Sequence, residues 1–301
     1  MTWLAILLVL LLQRAGVDLS RWQSDDWFWA YRRQVASVLR RWGLRTQLQW
    51  PLVVVPPGVL LAAVGYWLSG KWLGVPYFLL VVGTLVYSQG RGRLRQQVDQ
   101  YLDFWRADDA LEAGRSAREF ATDAQRLSPK ALAPLHRFAV DGMLYRSFSE
   151  WFGVVFWLAL LGPWAALCYR LLHLYLLGAD VSVRSNRDAV QSILYYSDWV
   201  PARVLGFIFA LIGNFVYCYP VWQEQLRVQG RSAPIFLRCC SVAALADGET
   251  LACQRVQEGQ GGTGRVEELV RGAEQIRALM ALLRRANVVW WLLILLIDTV
   301  L

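Results

Sequence analysis

Apolar residues gather into five long stretches of the chain, 50–69, 72–88, 148–177, 204–219 and 286–301, each nearly free of charge. Crossing a bilayer as a helix takes roughly 17–25 residues, which makes these stretches span candidates, some of them short. The first two face each other across "SGKWLG" and predict a helical hairpin with a tight turn. The opening run at 2–12, "TWLAILLVLLL", would reach only about 17 Å as a helix. No base precedes it and no small-residue cleavage pattern follows it, so it reads as a short helix kept in the protein rather than a signal peptide.

Polar residues follow a different rhythm. In 91–146, Leu94, Val98, Tyr101, Leu102 and Trp105 recur at three-four spacing with charge on the other face. Val266, Leu269, Val270, Ala273, Ile276 and Leu279 do the same within 220–285, after the glycine-rich "EGQGGTG". Both segments predict amphipathic helices. Basic residues concentrate in three blocks: seven in 14–45, ten in 91–146 and nine in 227–285. Such blocks stay on the cytoplasmic side of a membrane, which puts 91–146 and 220–285 in the cytoplasm and gives spans at 50–69, 72–88, 148–164, 199–219 and 286–301.

The middle of the chain admits two arrangements. "EWFGVVFWLALLGPWAALCYRLLHLYLL" is broken by Gly162-Pro163, where a helix stops or kinks. One arrangement is a single span followed by an interfacial helix. The other is a re-entrant pair that enters and leaves on the same side. The two place Asp198 on opposite faces of the membrane.

Composition excludes several classes. With 56% apolar residues, 18% charged ones and 16 Trp, the chain is too greasy for an ordinary soluble protein. The expected fold is all-α: one multi-pass transmembrane helical bundle over 1–301, carrying cytoplasmic amphipathic helices, with the lipid bilayer as its principal partner. The net charge of +8 suits basic loops at anionic lipid, and no nucleic-acid module accompanies it. Five Cys without C-x-x-C spacing and only two His exclude a Cys/His zinc site, and no metal is expected. "GQGGTG" lacks the Lys-Ser/Thr of a phosphate-binding loop.

Chemistry concentrates in "YYSDWVPARVLGFIFALIG". Ser197 or Asp198 can cap a helix, with Pro201 in its first turn, and Gly213-Asn214 can end that helix. Arg203 can then snorkel to headgroups. Alternatively, Asp198 at a helix start and Arg203 a turn later frame a site for an anion, which the helix dipole favours.

This stretch resembles the signature of the AmpE family, inner-membrane proteins encoded with the amidase AmpD. The order of hairpin, basic amphipathic segment, central "FW" span and last span is similar too. The resemblance implies a bacterial inner-membrane location and a regulatory part in AmpC β-lactamase induction and muropeptide recycling. The family in turn is similar to the CobD/CbiB proteins of cobalamin biosynthesis, whose acid and Pro-Ala-Arg match Asp198, Pro201, Ala202 and Arg203. Their Tyr-Lys pair is matched by Tyr169-Arg170, and Glu150 of "SFSEWFGVVFW" is the one acid kept from their Glu-rich stretch.

The resemblance therefore implies a CobD-like pocket for an anionic small molecule at Asp198, Arg203, Tyr169, Arg170 and Glu150. Trp199, Pro201, Ala202 and Gly206 would shape its helix. No catalytic residue and no cofactor follow. Magnesium and ATP enter only under an alternative, an amide-forming transferase, whose acid and histidine cluster this chain lacks. A second alternative is a scaffold whose amphipathic helices dock a protein partner or a second copy, with Leu94, Leu102 and Trp105 as the docking face.

Overall fold

Helices account for all the regular structure that the computed structural model describes, which covers residues 24–42, 49–68, 74–88, 94–120, 132–178, 184–228, 230, 232–246 and 265–300. The opening run 2–12, most of the "SGKWLG" turn, "EGQGGTG" and Cys253 lie outside those residues. In order the helices are α1 (Asp26–Arg41), α2 (Gln49–Leu68), α3 (Val75–Ser88), α4 (Leu94–Arg106), α5 (Ala110–Phe120), α6 (Leu132–Ser147), α7 (Gly153–Leu161), α8 (Pro163–Leu177), α9 (Arg184–Ile212), α10 (Phe215–Arg227), α11 (Ala233–Leu245) and α12 (Arg265–Val300). One π-helical turn, Phe148–Phe152, joins α6 to α7.

Two compact units share these helices. The first takes residues 1–92, 149–198 and 293–301, and the second takes 93–148 and 199–292. In the first unit α8 is the centre, with α2, α3 and α7 packed on it and α1 laid on α2. Its Ala165, Ala166, Leu171, Leu172 and Leu174 are all buried, so it is covered on nearly every side. In the second unit α4, α5 and α6 pack together, and α11 lies against both α6 and α10.

Among the described residues, α2 alone is long and apolar enough to cross a membrane, and α3 and α11 are shorter apolar helices. α2 holds Pro56 and Pro57 in its interior. Each removes a hydrogen bond to the carbonyl four residues back. The Leu52 carbonyl that Pro56 leaves without its helical donor takes the Tyr31 phenol instead, at 2.8 Å.

The other expected spans meet breaks and fusions. Gly162, at φ +90°, ends α7, and Pro163 opens α8. α7 and α8 are 9 and 15 residues long and pack on each other. At about 1.5 Å per residue neither alone reaches across the roughly 30 Å of a bilayer core. At the other end, the amphipathic segment and the last apolar run form one helix of 36 residues.

α9 differs most from expectation. It begins at Arg184 and runs 29 residues to Ile212, so Ser197, Asp198 and Pro201 lie inside it and not at its start. The signal was in the spacing: Asn186, Val190, Leu194, Asp198 and Ala202 recur every fourth residue, and all five are buried. A polar turn ahead of a proline reads locally as a cap, but tertiary burial of this stripe carries the helix through it. Neither a cap nor a helix-dipole site can exist at Asp198. The break expected at Gly213-Asn214 is present. There the Asn214 backbone and side-chain amides donate to the carbonyls of Ala244, at the end of α11, and Ala246, just past it, at 2.8 and 3.2 Å.

Candidate functional site

α8 carries Tyr169 and Arg170 on successive positions, which a helix turns about 100° apart, and each meets a different acid. The Tyr169 phenol donates to Asp198 Oδ1 at 2.6 Å. Both residues are 3% exposed. A bond to a buried carboxylate is among the stronger neutral-to-charged hydrogen bonds, because no water competes for it. Arg170 pairs with Asp25 at 3.7 Å, and both side chains are nearly covered. Asp25 is the acid that sequence reasoning missed. It stands just before α1, far along the chain from α8, and no local pattern marks it.

Gly153, the first residue of α7, makes the Tyr169–Asp198 bond sterically feasible. A Cβ there would lie 2.5 Å from the Tyr169 oxygen and 2.8 Å from its ring. The phenol thus passes over a bare backbone on its way to Asp198. Glu150 sits half-buried three residues earlier, in the π-helical turn. Such turns are rare insertions that often occur at working sites. His173, one turn beyond Tyr169, meets its ring edge-on with centroids 4.7 Å apart.

Arg203 is held by other means. Its guanidinium lies 4.4 Å from the Trp199 ring centre and 4.7 Å from that of Phe236, and one of its nitrogens donates to the Trp199 carbonyl at 3.3 Å. At 6% exposure it does not snorkel. Two aromatic faces offset part of the cost of taking the cation out of water. Gly206 opens the space for this stack, since a Cβ there would meet Phe236 at 2.6 Å and Trp222 at 3.2 Å. Trp222 donates its indole N–H to the Arg203 carbonyl at 3.0 Å. Ala202 is fully buried beside it, and Trp199 is partly exposed.

No group of three or more His, Cys, Asp or Glu side chains converges on a metal position among the described residues. Cys168, Cys218 and Cys240 are in no disulfide.

Comparison with known proteins agrees with this part of the chain. The family described as regulatory signalling modulator protein AmpE matches residues 1–239, which include Asp25, Glu150, Gly153, Tyr169, Arg170, Asp198 and the Arg203 stack. Protein AmpE of Shigella flexneri is 24% identical over 249 residues, covering 75% of this chain and 79% of that protein. No solved structure matches. With the family match running through both carboxylate pairs and the Arg203 stack, the chain belongs to the AmpE family of regulatory signalling modulator proteins.

Proposed function

We propose that this protein is a multi-pass protein of the bacterial inner membrane that modulates AmpC β-lactamase induction in step with muropeptide recycling. Its working centre is the buried polar group around Asp198 in the first unit, with Tyr169, Arg170 and Glu150 contributing to the recognition of an anionic small molecule. The observation that carries the reading is the Tyr169–Asp198 bond, a phenol and a carboxylate buried together inside the family-matched region. Buried ionisable groups are costly, and in membrane proteins they usually line a working cavity.

The membrane placement rests on where the apolar side chains sit. Only 22% of the most apolar window of α2 is buried, the reverse of a soluble core helix. Val55, Val59, Leu60 and Val64 on α2, Leu79 on α3 and Val216 on α10 all stand exposed, a surface that lipid would cover. Between the two arrangements open for the middle of the chain, the short packed pair α7 and α8 favours a re-entrant insertion.

Deleting the gene and measuring β-lactamase activity with and without an inducing β-lactam tests the regulatory role. A changed induction ratio, restored by the wild-type gene, is expected. An unchanged ratio would rule the role out.

A further inference from the structure

The exposed side of α1 is divided lengthwise. Trp27 and Val38, eleven residues apart or about three turns, share one stripe, and Trp42 continues it past the helix end. They are 42%, 51% and 76% exposed. Arg33 and Arg40, two turns apart, form a second stripe beside it, with Arg41 between the two. All three arginines are exposed, and among the described residues none of them pairs with a carboxylate. Asp26 is the one exposed acid on the helix.

The other side of α1 is fixed to the protein. Phe28, Arg32 and Leu39 are buried, α1 packs on α2, and the Tyr31 phenol holds the Leu52 carbonyl in the first turn of α2. α2 is the helix that by length and composition can cross a bilayer. A helix tied to the mouth of a span lies at headgroup depth if that span crosses. There, exposed tryptophans enter the boundary between acyl chains and headgroups, while arginines meet phosphate.

We infer that α1 is a lipid-reading helix that selects anionic phospholipid over neutral phospholipid. Trp27, Val38 and Trp42 form its apolar contact, and Arg33, Arg40 and Arg41 recognise the headgroup phosphate and its net negative charge. The inference rests on the membrane reading above but asks for more than insertion. Each arginine at an anionic surface contributes about a fivefold preference.

The test uses the full chain in phosphatidylcholine vesicles doped with a trace of brominated phosphatidylglycerol or brominated phosphatidylcholine, with tryptophan quenching as the readout. Wild type is expected to be quenched more by the brominated anionic lipid than by the neutral one. Arg33→Gln/Arg40→Gln/Arg41→Gln should lose that excess while keeping its quenching by the neutral lipid. Trp27→Phe/Trp42→Phe should also lose most of the excess, because its reporters are gone. Equal quenching of wild type and the triple arginine variant by the anionic lipid would overturn the selectivity and leave the membrane reading intact. No quenching by either lipid would overturn both.

Discussion

Both units bury polar side chains, but they use them differently. In the second unit an indole and an imidazole join helices: Trp105 Nε1 donates to the Leu269 carbonyl at 2.9 Å, and His136 Nε2 bonds Gln275 at 3.0 Å. Trp105 also stacks on Tyr101 and lies over Gly272, where a Cβ would come within 3.0 Å of the ring. In the first unit the buried groups include the carboxylates of Asp25 and Asp198, met by a guanidinium and a phenol. Apolar packing with neutral polar pins is the economical way to hold helices together. Buried carboxylates are an expensive one, and replacing such pairs with apolar groups often stabilises a protein. The second unit is not without buried charge, since Arg238 pairs with Asp141 at 3.0 Å and Arg203 lies against two rings; what sets the first unit apart is a buried carboxylate that a neutral phenol meets.

The largest effect expected from this contrast lies in the second unit. Trp105→Ala should cost about 3–5 kcal/mol in thermal unfolding of the detergent-solubilised chain, because a large ring at 2% exposure leaves a cavity. Trp105→Phe, which keeps most of the ring and loses the donor, should cost only about 1 kcal/mol beyond the volume lost. If Trp105→Phe costs nothing beyond the volume lost, the indole N–H is not the pin described.

In the first unit, Tyr169→Phe should cost about 1.5–3 kcal/mol, the range for a hydrogen bond to a charged group. Gly153→Ala should cost about 1–3 kcal/mol by pushing the phenol off its path. The sharper expectation concerns the pair. If Gly153 acts by clearing Tyr169's path to Asp198, the double variant should be less destabilised than the sum of the two singles, since the bond can be lost only once. Strict additivity would separate Gly153 from that bond.

The smallest effect is one of pH. Burial holds the His136 imidazole below its ordinary value of 6.5, and its Gln275 bond opposes that shift. The unfolded chain takes up a proton as pH falls through 6.5, while the folded chain resists it. Stability contributed by a neutral His136 is therefore complete above that pH and declines as pH drops toward the folded value. A melting curve followed from neutral to mildly acidic pH should show this fall, and His136→Gln should flatten it.

These contrasts also mark what could be read in the chain. The three-four spacing of Val98, Tyr101, Leu102 and Trp105 named their buried face correctly, and all four are buried. That leaves little of the proposed docking face on α4 for a partner, with Leu94 only half-buried at its end. Val270 shows the limit of the method: it fits the periodic pattern of α12 yet stands half exposed. The breaks at Gly162 and Gly213-Asn214 were legible because backbone chemistry is local. Asp198 and Tyr169 were each singled out, but not their bond, since pairing across two helices depends on packing. Gly153 was missed because its value lies in the atoms it lacks.

The central claim is that Asp198 and its phenol form a working site in a regulator. The direct measurement is β-lactamase induction in the gene-deletion strain complemented with wild type, Asp198→Asn or Tyr169→Phe, with the membrane level of each protein measured alongside. The account predicts that Asp198→Asn, present at wild-type level, fails to restore the induction ratio and that Tyr169→Phe restores it only in part. Full restoration by both variants would contradict it and reduce the buried pair to a structural contact.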